Sequence, residues 1–174
     1  MEESSTLTKK RRNLTRKKIT LKAIKLADKK GLESLSMRSL AKTLGIEAMS
    51  LYNHVKNKSD LIDAIVDQIF SEVSWPYQSS DWKEAMIQRS VSIRQVIKKH
   101  PWSISILESR KNPGHHTLLH HNNVIACLLS SGFSLKLAGH AFSALDAYTY
   151  GYVMTEQNLP FDDDDQLKLS LIHI

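Results

Sequence analysis

Apolar positions recur along this chain at helical rather than alternating spacing. From Thr15, the stretch TRKKITLKAIKLADKKG sets Ile19, Ala23, Ile24 and Ala27 on one face, a repeat that predicts an amphipathic helix. Thr15 suits its N-cap, Lys29 and Lys30 suit the carbonyl end of its dipole, and Gly31 can close it in the left-handed conformation. A second, short helix opens at Ser36, buries Leu40, Ala41 and Leu44, and stops at Gly45. Ile46 plugs the corner. Glu47 then opens a third short helix, its carboxylate set against the positive N-terminus. Asn57 caps a fourth helix with a stripe of Leu61, Ile62, Ile65, Val66, Ile69 and Phe70, and the run SEVSWPYQSSD behind it is the clearest boundary.

After the boundary the pattern stays helical. Trp82 to Lys99 carries Met86, Val91, Ile93, Val96 and Ile97, and His100-Pro101 ends it, because a residue before proline is pushed out of the helical region. The short segment SISILES, the loop RKNPG, a helix from His115 to Ser131 closed by Gly132, and a long helix from Ser134 to Gln157 follow before Pro160 and FDDDD. No β-type alternation of useful length and no internal repeat occurs. The expected fold class is all-α in about eight helices. It divides into a basic flexible arm (1–14), a three-helix helix-turn-helix unit with its linking helix (15–73), a helical domain (77–159) and an acidic tail (160–174).

Composition narrows the function classes. Only 6 Gly and 4 Pro in 174 residues, with 41% hydrophobic positions, exclude a disordered or all-β chain. The longest apolar run, Val124 to Leu129, falls far short of the ~20 residues that cross a bilayer. The start MEESSTLTKKRR has no apolar segment behind its charges, so a cytoplasmic protein with no membrane partner is expected. Cys127 has no partner for an internal disulfide and reads as a small core residue. Charge is more informative: residues 1 to 60 hold 15 Lys and Arg against 6 Asp and Glu, while the rest hold 9 against 12. A basic third on a mildly acidic remainder reads as a polyanion-binding module attached to something that does not touch the polyanion. KKRR at 9–12 fits an arm reaching along phosphates.

Residues 31–65, GLESLSMRSLAKTLGIEAMSLYNHVKNKSDLIDAI, carry a joint pattern: Leu35, Arg38, Leu40 and Ala41; Leu44-Gly45-Ile46; Ser50-Leu51-Tyr52; His54-Val55; Lys58 and Leu61. Ala41 is small where two helices cross, Gly45 supplies a positive φ, and Leu51 pins the recognition helix. This segment closely resembles the DNA-binding segment of the tetracycline-repressor family of bacterial transcription regulators. The resemblance implies that residues 47 to 54 enter the major groove, and it carries Arg38, Ser50, Tyr52, His54 and Lys58 over as phosphate and base contacts. Lys58 also stands at a helix N-terminus, which favours phosphate. Ala48, Met49 and Asn53 replace the glutamine, proline and tryptophan of the tetracycline repressor itself, which implies a different operator. Ala48 and Met49 can touch a thymine methyl, and Asn53, four residues after Met49 on the same helical face, can pair with adenine N6 and N7.

Residues 77–159 are similar to that family's ligand-binding and dimerisation domain, through KHPW at 99–102, SSGFS at 130–134 and LDAYTYGYV at 145–153. The resemblance implies a double-stranded DNA operator, a homodimer and a small-molecule effector that relieves repression, with no other cofactor. Leu137, Ala141, Ala144, Tyr148 and Gly151 form a small-residue seam suited to a partner helix, with intrachain packing as the open alternative. Met86, Trp102, Phe142 and Tyr148 are the candidate pocket residues, among aromatic and Met positions (Trp82, Phe133, Tyr150, Tyr152 and Met154 besides) read mainly as core. The chain ends fourteen residues past Pro160, where the family adds a helix. A truncated frame or a shortened variant would both look so, with a weaker dimer. No catalytic motif occurs, so no enzyme is expected. The competing reading is a metal-dependent enzyme or metal sensor built on His115, His116, His120 and His121. It lacks accompanying carboxylates and thiolates, so a solvent-exposed or loop-end histidine cluster and no metal is expected. A helical adaptor is a third.

Overall fold

The computed structural model describes residues 14–76, 81–107, 109–110 and 112–159. The arm at 1–14, apart from Leu14, the tail at 160–174 and positions 77–80 of the break lie outside the described residues. The described residues form eight α-helices and no strand: α1 Arg16–Lys30, α2 Met37–Leu44, α3 Ala48–Leu51, α4 Lys58–Phe70, α5 Trp82–Lys99, α6 Ile104–Leu107, α7 His115–Ser130 and α8 Leu135–Gln157. Single 3-10 turns at Leu32–Ser34 and Pro101–Ser103 join α1 to α2 and α5 to α6.

Local chemistry sets the ends. Thr15 accepts from Lys18 N, Asn57 from Asp60 N, Asp81 from Lys83 N and Ser134 from Leu137 N, each satisfying a first-turn donor. Ser36 does more. Its hydroxyl accepts from Ser39 N at 3.0 Å while Ser39 Oγ accepts from Ser36 N at 2.9 Å, a capping box made of two serines. Gly45 takes φ 66 and ψ 40, and behind it Gly45 N donates to Lys42 O at 3.2 Å and Ile46 N to Ala41 O at 3.1 Å. That paired closure satisfies two end carbonyls and seats Ile46 against the core. Gly31 departs from the expected left-handed cap: its φ is 79 but its ψ is 159. The chain therefore leaves α1 extended, straight into the 3-10 turn.

One core runs through both parts of the chain. Ile19, Ala23 and Ile24 of α1, Leu40 and Ala41 of α2, Leu51 and Val55 pack with α4, and the same cluster continues through Ile93, Val96, Ile97, Ile106, Leu107, Tyr150 and Val153. A second cluster joins Ala85, Met86, Val124, Leu128 and Ala138. Val91, placed in the α5 stripe by its spacing, is exposed instead, as are Tyr148, Tyr152 and Met154 of α8. A hydrophobic period shows that a face exists and not which neighbour covers it.

Gly45→Ala is expected to cost about 1–2 kcal/mol, the penalty of a Cβ in a left-handed residue. Denaturant unfolding of both proteins checks it, and an equal midpoint would contradict the role given to this closure.

Candidate nucleic-acid interface

Leu40 and Ala41 of α2 and Leu51 of α3 are buried together, which lets the two helices cross closely and turns the rest of α3 outward. Met49 is 72% exposed, Tyr52, Asn53, Arg38 and Lys58 are exposed, and Ala48 and His54 are half-buried. Arg38, Asn53 and Lys58 make no side-chain hydrogen bond within the described residues, so their polar ends are open to an outside partner. Ser50 corrects the expectation. It is 6% exposed, because its neighbour Leu51 must face the core and the turn carries Ser50 with it; its hydroxyl is not on the outward face. A second correction concerns Asn53. Helix α3 ends at Leu51, and Tyr52–His54 are turns closed by Tyr52 N to Met49 O (3.2 Å) and His54 N to Leu51 O (2.9 Å). Met49 and Asn53 therefore both face outward without sharing one continuous α-helical face.

What fixes this turn was not visible in the motif. Arg16, the first residue of α1, donates from Nη1 to the carbonyl of His54 (3.1 Å) and to Asp60 Oδ2 (2.8 Å), and from Nη2 to Asp60 Oδ1 (2.7 Å). Asp60 also accepts from Lys56 N at 2.8 Å. The hydrogen bond from Arg16, against the opposing effect of burial, holds the Asp60 carboxyl down at about 2. Two further aspartates continue this edge of α4. Asp63 accepts from Arg110 Nε (2.6 Å), and Arg110 Nη2 also reaches Ser59 Oγ (2.6 Å). Asp67 accepts from the backbone of Thr117 at 2.9 Å. Gly114 permits that approach, since a Cβ there would lie 2.3 Å from Asp67 Cγ. Asp60, Asp63 and Asp67 thus tie α4 to α1, to the segment after α6 and to α7.

The candidate residues of the second part do not converge. Met86 is buried in the second cluster and Phe142 packs on it, whereas Trp102 packs on the first cluster and donates Nε1–H to Asp28 Oδ1 at 2.8 Å. Tyr148 stands 72% exposed, its ring stacked on Tyr152 at 6.3 Å. Of the seam, Leu137, Ala144, Tyr148 and Gly151 are exposed and Ala141 is half-buried. Of the four histidines, His115 and His116 are exposed at the start of α7 and His121 is half-buried, whereas His120 departs from the expectation: it is 5% exposed and its Nε2 accepts from Arg89 Nε at 2.9 Å. Among the described residues no three His, Cys, Asp or Glu side chains are grouped as a metal would require. Arg89 is wholly buried, also donates to Asp146 Oδ1, and lies 5.3 Å from the Phe142 ring centroid. The sequence carried a signal for it, since Arg89 shares the spacing of Met86, Ile93, Val96 and Ile97. No described helix is long and apolar enough to cross a membrane.

Two family models match the chain: "Bacterial regulatory proteins, tetR family" over residues 19–65, and "Tetracyclin repressor-like, C-terminal domain" over residues 75–169. An HTH-type transcriptional regulator of Saccharopolyspora erythraea is 35% identical over 144 residues, 82% of this chain and 61% of the relative. The chain thus spans under two thirds of that relative's length. The class D tetracycline repressor protein of Escherichia coli is 28% identical over 83% of this chain and 67% of its own. The crystal structure of Streptomyces coelicolor ActR in complex with actinorhodin superposes with a TM-score of 0.81 at 25% identity, covering 92% of this chain and 76% of that one.

The clamp makes a pH prediction. Asp60 is depressed in the folded chain, so its contribution is present above about pH 4 and disappears as pH falls towards 2. Arg16→Gln should flatten that part of the stability profile. Because Arg16 is itself nearly half exposed, screening holds the loss at neutral pH to about 1 kcal/mol or less. Melting temperatures of both proteins between pH 2 and 7 check it; parallel profiles would remove Asp60 from this role.

Proposed function

Because the chain belongs to the tetR family of bacterial regulatory proteins, we propose that it is a DNA-binding transcriptional regulator, a repressor that grips a palindromic operator as a homodimer and lets go when a small effector binds. The observation that carries this reading is the set of outward, unpartnered side chains on a rigidly closed helix-turn-helix: Arg38, Asn53 and Lys58, with Met49 and Tyr52 between them. Base edges are reached by Met49, Tyr52 and Asn53; Arg38 and Lys58 take phosphates, and the basic first third supplies the general attraction. No catalytic step is assigned to the chain, and its place of work is the cytoplasm, with the chromosome.

Dimerisation draws on α8, where Leu137, Tyr148 and Tyr152 leave an exposed apolar strip that a second copy would cover. Two-fold pairing there sets two recognition turns against two half-sites. Relief by an effector has a physical route through α4. One end of this helix bears Lys58 and the other, at Phe70, borders α7, and the three aspartates pass displacement of α7 or of the Arg110 segment to the DNA-facing end. ActR, solved with actinorhodin, supports a small organic effector; its identity is not carried across. The metal reading finds no such support, since Nε2 of His120 is already engaged by Arg89.

Binding-site selection on randomised duplexes tests the assignment. Asn53→Ala should relax preference at one position of each half-site, by about 1–3 kcal/mol of discrimination if the amide pairs with adenine. Lys58→Ala should instead weaken all duplexes alike and lower the slope of log affinity against log salt by about one. Unchanged base preference in Asn53→Ala would reject direct readout there, and absence of any salt-sensitive duplex binding by the parent chain would reject the regulator reading itself.

A further inference from the structure

Helix α1 turns one face to the core and leaves a row of lysines on the other. At 3.6 residues per turn, Lys18, Lys22, Lys25 and Lys29 fall within about 60° of one another, opposite the buried Ala23 and Ala27. Lys25 and Lys29 are exposed, and Lys22 is half-buried, as a lysine is when its stem packs and its ammonium stays in water. The row is roughly 16 Å long at the rise of an α-helix. Its neighbours three and four positions apart carry like charge, which opposes the helix instead of supporting it. No acid of the helix answers them. The one acidic residue of α1, Asp28, is engaged elsewhere: its Oδ1 accepts from Trp102 Nε1 at 2.8 Å and lies 2.7 Å from His100 Nδ1. Among the described residues, Lys22, Lys25 and Lys29 make no ion pair and no side-chain hydrogen bond.

The row begins beside the DNA-facing turn. Arg16, in the same first turn of α1 as Lys18, holds the carbonyl of His54, which stands between Asn53 and Lys58 in the chain. A duplex strand sets one phosphate every ~3.4 Å along its axis, so a row of roughly 16 Å spans about five of them. A bilayer is a poorer match, because a helix that lies on a membrane needs an apolar face and this row is bordered by the single exposed Leu21. We propose that the outward face of α1 is a second phosphate track, on which Lys22, Lys25 and Lys29 hold the backbone of duplex DNA outside the bases met by the recognition turn. The proposal rests on the regulator reading in taking DNA as the polyanion. Its phosphates come from the flank of the bound duplex or from a second duplex, and the chemistry is the same. Such a track adds affinity without base preference. It differs from diffuse attraction by net charge, because each direct contact releases counterions and so sets the salt dependence.

Binding of the whole chain to labelled random-sequence duplexes, followed by fluorescence anisotropy across a range of salt concentrations, tests the track. Lys22→Gln/Lys25→Gln/Lys29→Gln keeps a helix propensity close to that of lysine, so circular dichroism should match the parent. Its slope of log affinity against log salt should flatten by about 2 to 3 for each bound chain, ~0.9 per phosphate lost. Lys25→Gln and Lys29→Gln alone should each flatten it by ~0.9, so the test does not hang on the folding of the triple variant. Lys83→Gln/Lys98→Gln/Lys136→Gln removes the same charge from exposed positions of α5 and α8 and should leave the slope within about one of the parent. A parent-like slope in the α1 variants, or equal flattening in both triples, overturns the proposal. So does a lysine triple that loses binding to phosphatidylserine vesicles while its duplex binding stays intact. A difference from the parent that grows with duplex length places the track on the flank. Energy transfer between two differently labelled duplexes, present in the parent and lost in the α1 triple, places it on a second duplex; either result upholds the track. Lys58→Ala separates the readings: if it flattens the slope and the α1 triple does not, the recognition turn stands and the track falls, and the reverse leaves the track alone. No salt-sensitive binding by the parent chain overturns both.

Discussion

A helix that buries apolar side chains on more than one side cannot shift without repacking something, and α4 is such a helix. Leu61, Ile62, Ile65, Val66, Ile69 and Phe70 are all buried, a stripe close to half the circumference rather than the ~100° of an ordinary surface helix. α1 takes part of that stripe and α7 another. The remaining edge carries Asp60, Asp63 and Asp67, each bonded to a different element. Apolar burial thus sets where α4 lies, and the aspartates set its rotation and axial position. Because closely packed interfaces hold discrete arrangements rather than deforming smoothly, a change at the Phe70 end reaches Lys58 as a movement of the whole helix.

The second constraint is electrostatic. A wholly buried guanidinium is costly unless its charge is matched; Arg89 is matched by Asp146 on α8, with its Nε on His120 of α7 and the ring of Phe142 beside it, while its Nη1 stays buried without a hydrogen-bond partner among the described residues. Burial pushes the Asp146 carboxyl up while Arg89 pulls it down. The arrangement cross-links α5, α7 and α8 at one point, where removing a single partner leaves an uncompensated charge. It also dictates the state of His120: an imidazole against a buried cation remains neutral and its tautomer is forced. A residue that spacing alone marks as half of a metal pair is in this fold a polar strut.

This contrast shows what a sequence can and cannot carry. The helices, the N-caps at Thr15, Ser36 and Asn57 and the turn at Gly45 were legible because each depends on residues within four positions of one another. So was the recognition motif, whose Ala41, Gly45 and Leu51 obey local packing rules. Illegible were the pairings across the chain: Arg16 with Asp60 spans 44 positions and Arg89 with Asp146 spans 57. Nothing in a spacing says which acid a base will meet. Ser50 failed for a related reason: in a one-turn helix the packing around the single anchor Leu51 decides which flank is covered, and it buries Ser50 on one side while leaving Tyr52 exposed on the other. Met86, Trp102, Phe142 and Tyr148 were chosen by residue type, which says nothing of placement: the fold sends them to two clusters and a surface.

The brevity of α3 has its own consequence. A helix of four residues has almost no stability by itself, since nucleation is costly and few hydrogen bonds repay it. Its geometry is imposed from outside: by Leu51 and Val55 in the core, by the Gly45 closure before it, and by Arg16 holding the His54 carbonyl after it. Side chains that point away from all three supports contribute little to the fold. Met49 at 72% exposure and Asn53 beside it are such positions, and they are among those where this sequence departs from the tetracycline repressor. Substitution there therefore costs little stability, whereas a change at Ala41, Gly45 or Leu51 would disturb the scaffold that holds α3 in place. The division is a physical one: burial sets which residues of this segment must stay, and exposure sets which are free to vary.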